Sequence, residues 1–201
     1  VNLSMGHTGT NIGGAGLMLV YATNAWIENV RSINDGQVGK HVWLYQASHI
    51  TMGNSYFYGS DGASNSYGID SGYSSADNLV INIICQHVAV CTIGEGTVGT
   101  VFAYNYAVDN YYMVSPDWQQ EDAYHHSAGD HYLLWEGNIG TGITGDDIHG
   151  PSFMFTAFRN RWSGRDGTKT QQTNAVHLYS YNRFWNVVGN VLGTVGYHTQ
   201  Y

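Results

Sequence analysis

The sequence predicts an all-β fold, a right-handed parallel β-helix of about seven coils with an asparagine ladder, and three observations predict it. Helix-building residues are thin: charged residues make up 11% of the chain while Gly occupies 26 positions, Tyr 16 and Trp 6. That composition suits pleated, half-buried strands joined by tight turns better than helices. The chain also resembles itself, since ATNAWIENVRS (22–32) and ASHITMGNSYF (47–57) superpose without a gap at an offset of 25. Finally, an Asn closes each such segment: Asn29 in WIEN, Asn54 in TMGN, Asn82 in LVIN, Asn105 in FAYN, Asn138 in WEGN, Asn160 in AFRN and Asn190 in VVGN.

Taken in order, the first coil enters on GLMLVY (16–21), and the marker asparagines then follow at intervals of 25, 28, 23, 33, 22 and 30 residues. A constant coil interrupted by loops of different length gives this pattern. One coil cannot bury its own apolar face, so coils must stack, with strands about 4.8 Å apart. An Asn at the same turn of each coil can pass side-chain amide hydrogen bonds from rung to rung. A leucine-rich repeat is the rival at this period, but it needs several Leu per repeat and this chain holds 9 in all. A β-sandwich has no reason to repeat in sequence this way. Residues 1–201 are therefore expected to form one β-helix, with either a longer natural chain or ends paired with something, self-association included, because the open ends of such a stack are adhesive strand edges.

A second strand precedes each marker: HVWLYQ (41–46), YGIDSG (67–72), HHSAG (125–129), DDIHG (146–150) and AVHLYS (175–180). Within it His41, Asp70, His126, His149 and His177 lie 13, 12, 12, 11 and 13 residues before their Asn. Strand side chains alternate, so placing Val42, Leu44, Ile148, Val176 and Leu178 inward turns His41, Trp43, Asp147, His149, His177 and Tyr179 outward. His126, His149 and His177 then stand on neighbouring rungs as an exposed stripe, with Asp147 beside them. Imidazole gives and takes a proton near neutral pH and a carboxylate orients it, so the stripe suits acid–base catalysis. Three imidazoles on adjacent rungs could alternatively converge on a transition metal, and Asp146 and Asp147 could bind calcium or merely cap a turn.

Three further segments carry chemistry. Arg159, Arg161, Arg165 and Lys169 cluster in sequence, a basic patch suited to a sugar carboxylate or to pairing with Asp166 and nearby acids. The long interval before Asn138 holds SPDWQQEDAYHHSAGDHY (115–132), where Trp118, Tyr124 and Tyr132 alternate with acids and can wall a glycan groove or simply shield the stack. Cys85 and Cys91 are six residues apart, which permits a small-loop disulfide and equally two buried thiols.

Two strings resemble the pectate-lyase-like β-helix superfold: NAWIEN (24–29) is similar to the Trp-Ile-Asp-His segment of pectate lyases, and HITMGNSYFYG (49–59) to the coil that follows it. The pectate lyase Asp-His pair is Glu28-Asn29 here and no Arg-x-Pro-x-x-Arg string occurs. GDDIHG (145–150) partly resembles the paired carboxylates of β-helix polygalacturonases. The resemblance implies a secreted, extracellular carbohydrate-active protein acting on a polysaccharide, as a lyase on uronic substrates or a glycoside hydrolase on neutral ones. In that reading His149, His177 or His126 moves the proton, Asp147 orients it, and Trp43, Asp70, Trp118, Arg159, Arg161 and Tyr179 bind substrate. The other class compatible with the fold is a non-catalytic glycan-binding, adhesin or fibre module. A net charge of −8 with 7 Lys and Arg argues against a nucleic-acid partner, and no apolar run reaches the length of a membrane span.

Overall fold

In the computed structural model the described residues are 3–7, 14–34, 39–60, 66–112 and 114–199. Among them are twenty strands and no helix, arranged in two sheets. Every strand pairing is parallel. The larger sheet has thirteen strands: β1 (Leu3–His7), β3 (Thr23–Glu28), β4 (Val30–Asn34), β6 (Ser48–Tyr58), β8 (Leu79–Gln86), β10 (Val101–Ala103), β11 (Tyr106–Val108), β13 (Leu134–Glu136), β14 (Ile139–Gly140), β16 (Phe153–Phe158), β17 (Arg161–Trp162), β19 (Arg183–Val188) and β20 (Val191–Leu192). The other has seven, in spatial order β18 (Val176–Leu178), β15 (Ile143–Gly145), β12 (Ala123–His125), β9 (Val90–Glu95), β7 (Tyr67–Gly72), β5 (Lys40–Tyr45) and β2 (Ala15–Val20). Each strand of this smaller sheet thus lies beside its counterpart one repeat along, as the self-similarity requires.

The main core lies between the sheets and is built from inward positions of both. Leu44, Met52, Phe57, Ile69, Phe102, Trp135, Phe155 and Trp162 are all buried in it, with the Phe102 and Trp135 rings stacked at 4.5 Å. Removing such apolar surface from water is the main favourable contribution to folding. Tyr67, Val90 and Ile93 form a second, smaller cluster with Tyr124 against it.

The larger sheet bends where the marker asparagines lie, but these do not share one register. Asn29, Asn54 and Asn82 have φ of 59°, 50° and 54°, the left-handed conformation that Asn tolerates better than most residues. Their side chains are exposed, and Asn82 Nδ2 donates to Asn54 Oδ1 at 2.8 Å. Ile81 pairs with Ala103, however, so Asn82 stands level with Tyr104, and Asn105 stands level with Ile83. From that point Asn105, Asn138 and Asn160 are buried. Nδ2 of Asn105, Asn138 and Asn160 donates to Oδ1 of Asn138, Asn160 and Asn190 at 3.0, 2.9 and 2.9 Å, and the same oxygens accept the backbone N–H of the preceding Asn.

His41 also departs from its expected direction. Alternation fails between His41 and Val42, and both are buried. His41 stacks on Phe57 with centroids 5.2 Å apart, and its ring nitrogens meet Ser32 Oγ at 2.8 Å and the Gly59 carbonyl at 3.0 Å.

Cys85 on β8 and Cys91 on β9 form a disulfide that ties the larger sheet to the smaller. A loop this short contributes about 2 kcal/mol by restricting the unfolded chain. Reduction should therefore lower the thermal midpoint by several degrees without altering the circular dichroism spectrum. A midpoint indifferent to reductant would show that the bond does not constrain the unfolded ensemble.

Candidate functional site

The site grows from alternation along β12. Ala123 and His125 point inward, Tyr124 and His126 outward. His125 is buried against Phe155, Trp135 and Trp185, at centroid distances of 3.8, 4.4 and 5.1 Å. Its Nδ1 bonds Asp130 Oδ2 at 3.0 Å, while Asp130 Oδ1 accepts the N–H groups of Gly96 and Thr97, each at 2.7 Å. Burial pushes the His125 pKa down, so the neutral ring is favoured there and Asp130 fixes its orientation.

Outward, the ladder continues one residue past the strand ends. The His126 N–H donates to Gly94 O at 3.0 Å and the Asp146 N–H to His125 O at 3.1 Å. Glu95, His126 and Asp146 therefore stand side by side at the ends of three neighbouring strands, β9, β12 and β15. Asp146 is buried, and its Oδ2 accepts from His126 Nδ1 at 2.5 Å and from the Tyr124 hydroxyl at 2.9 Å. His126 stacks on Tyr124, and the His149 ring meets it edge-on at 4.5 Å.

His126 stands at the junction of two openings. A cleft of 570 Å³ is lined by Tyr73, Glu95, His126, Ser127, His131 and His149 among others. A smaller cavity of 220 Å³ lies on its other side, walled by Tyr67, Tyr112, Gln120, Tyr124 and Ile148. Behind Glu95, Lys40 Nζ lies 2.5 Å from Asp70 Oδ2 and 3.9 Å from Glu95 Oε2. Burial and then the Glu95 charge push Asp70 well above the usual carboxylate range, against the opposing pull of Lys40. One ammonium thus serves two carboxylates, one of which faces the cleft.

Of the residues the sequence singles out, His126 and His149 meet. Asp147 does not orient them: the strand ends at Gly145, residues 147–149 are exposed and do not follow its alternation, and Asp146 takes that role. Ile148, expected inward, is 68% exposed. His177 lies level with Thr144 and hence two strands from Tyr124, half-buried and stacked on Tyr179 at 4.2 Å; burial lowers its pKa. Asp70 is fully buried rather than part of an exposed stripe, and Trp43 sits beneath Lys40 with Nζ 4.6 Å from the ring centroid. Trp118 bridges to Gln171 in a loop, outside the walls of both openings. Arg159 and Arg161 belong to the larger sheet region, where Arg159 covers Phe158 and Arg161 lies on β17. The remaining cations of that patch brace loops: Lys169 Nζ donates to Pro116 O at 3.1 Å and Arg165 Nε to Lys169 O at 2.8 Å. Among the described residues no group of three or more His, Cys, Asp and Glu converges to hold a metal ion.

Glu95 and the His125–Asp130 pair are the residues that sequence reasoning misses, while Asp146, expected to bind calcium or cap a turn, instead holds His126. The alternation of Ala123, Tyr124 and His125 was the available signal for His125. Nothing in CTIGEG (91–96) resembles the histidine column, so Glu95 carried none.

The loop that brings Tyr112 and Gln120 to the smaller cavity also holds Glu121 and Asp122, both buried. Burial raises Glu121 to about 7 and Asp122 to about 6, the latter despite hydrogen bonds from Thr141 and Asn110. The folded state holds these protons more tightly than the unfolded chain. The stability that Glu121 lends is therefore complete below pH about 4.5 and is lost as pH rises to about 7. Glu121→Gln should flatten that decline and stabilise the protein by about 3 kcal/mol at pH 8. Urea unfolding of both proteins at pH 5 and 8 checks this, and parallel pH profiles would refute it.

No helix among the described residues is long and apolar enough to cross a membrane. Comparison with protein-family models, with curated proteins and with solved structures returned no match.

Proposed function

We propose that the two parallel sheets belong to one solenoid of about seven coils, of the pectate-lyase-like kind, and that the protein is an extracellular carbohydrate-active enzyme. The asparagine hydrogen bonds from Asn105 to Asn190 support the coil reading. The disulfide supports an oxidising, extracytoplasmic setting. One observation carries the catalytic reading: His126 lies between two openings with Nδ1 held at 2.5 Å by buried Asp146. Its Nε2 has no hydrogen-bond partner among the described residues and is the nitrogen able to exchange a proton with a bound glycan or water. His149 and Tyr124 hold the ring from either side. Trp43, Asp70, Arg159, Arg161, Trp118, His177 and Tyr179 are reassigned from direct chemistry to support or to other surfaces.

A second reading, a non-catalytic glycan-binding or fibre module, is favoured by a different feature. Tyr45 stacks on Tyr73 at 5.0 Å, Trp43 meets Tyr45 at 5.2 Å and Tyr21 meets Tyr45 at 6.1 Å. This aromatic surface leads into the cleft through Tyr73 and suits sugar faces whether or not a bond is broken. The two readings separate on incubation with acidic and neutral polysaccharides, with and without calcium and a chelator. New reducing ends identify an enzyme, and accompanying ultraviolet absorbance of unsaturated uronates identifies a lyase. Retention on polysaccharide gels without any product would establish the binding module instead.

A further inference from the structure

We infer that the glycan bound here carries no carboxylates, runs across both openings past His126, and is cleaved by hydrolysis rather than elimination. The inference rests on the carbohydrate-active reading of this site and adds its substrate class. None of the seven Lys and Arg residues lines either opening. Arg31 and Arg183 lie on β4 and β19 of the larger sheet, and Arg159 and Arg161 flank Asn160 there. Arg165 and Lys169 brace loops. Lys40 comes nearest, and its ammonium is engaged by Asp70 and Glu95.

The walls carry the opposite charge. Glu95 lines the larger cleft and Asp146 lies behind His126. A uronate carboxylate would meet like charge here with no lysine or arginine in the walls to pair with. Elsewhere the walls are hydroxyls, amides and rings: Tyr67, Tyr112, Tyr124 and Gln120 on one side of His126, Tyr73 and Ser127 on the other. Tyrosines of this kind stack on the apolar faces of sugar rings and bond their hydroxyls. A polymer occupying both openings places one linkage at His126, with sugar residues on each side of it.

β-Elimination needs a carboxyl group to acidify the proton that is removed, so a glycan without carboxylates leaves hydrolysis. In the net step a water oxygen bonds to the anomeric carbon and the glycosidic C–O bond breaks. The leaving oxygen takes a proton from one member of the pair His126 and Glu95, and the water gives a proton to the other.

The test uses native gels containing a neutral galactan, mannan or xylan, or else polygalacturonate or alginate, at about 0.15 M ionic strength. Wild type and the His126→Gln variant are expected to be retarded by at least one neutral polymer and by neither acidic one. Tyr112→Ala should weaken that retardation about tenfold. Glu95→Gln should narrow the discrimination against uronates. Wild type should release reducing ends from the retained polymer without ultraviolet-absorbing product. Tighter binding of a uronate polymer, or unsaturated product, overturns the inference alone. Neutral retention with no reducing ends keeps the substrate class and overturns hydrolysis together with the catalytic reading. No retention of any glycan overturns both readings.

Discussion

His126→Ala is expected to lower glycan turnover by about 10²- to 10⁴-fold while leaving the fold intact, the range that a positioned acid–base group contributes. The side chain lies at the surface of the sheet, outside the apolar core, so its loss removes a proton carrier rather than packing. Asp146→Asn tests the same unit through its partner. An amide in that position can still accept from Tyr124, but it cannot carry the charge that holds the imidazole N–H at 2.5 Å. Turnover by Asp146→Asn should fall about 100-fold and the double variant should be no worse than His126→Ala, because the two act together. Unchanged turnover in His126→Ala would move the chemistry away from this cleft. Initial rates on the retained polymer, with circular dichroism as a control for folding, decide between these results.

Asn138→Ala should cost about 3–5 kcal/mol, the largest stability loss of any single polar substitution considered. Asn138 Oδ1 accepts from Asn105 N and Asn105 Nδ2, while its Nδ2 donates to Phe102 O and Asn160 Oδ1, all at 2.9–3.0 Å. Deleting it strands several groups away from water, each at a cost of about 1–3 kcal/mol. Asn82→Ala offers the contrast: an exposed side chain hydrogen-bonded to Asn54, and a left-handed backbone that alanine adopts reluctantly. It should cost about 1 kcal/mol. Urea midpoints of the two variants measure the difference, and equal losses would mean that the buried and exposed asparagines bear the same load.

The period of the fold was legible because inward residues recur with the strands, as the match of 22–32 with 47–57 shows. The register was not. Asn82 and Asn105 are 23 residues apart, but a step of 22 connects levels at that point, since Ile81 pairs with Ala103. Loops of variable length hide a slip of one. The same limit explains the site. Spacing from Asn138 placed His126 in the outward column, and it stands there because β12 is regular up to His125, whereas GDDIHG leaves its strand at Gly145 and alternation no longer distinguishes Asp146 from Asp147. His41 was misdirected by a local break that no pattern of apolar residues announces.

Glu95, His126 and Asp146 come from three neighbouring strands of one sheet, β9, β12 and β15, of which β15 lies directly beside the outermost strand β18 while two strands separate β9 from β2. A parallel sheet whose strands each pair only with their neighbours loses order as a front that advances from an outermost strand, each strand protecting the next. Opening at β18 or β2 therefore leaves Glu95, His126 and Asp146 assembled, and the proposed activity is lost only when the front reaches β15 or β9. Activity would then outlast the first spectroscopic signs of heating, and its disappearance would report the melting of β15 or β9.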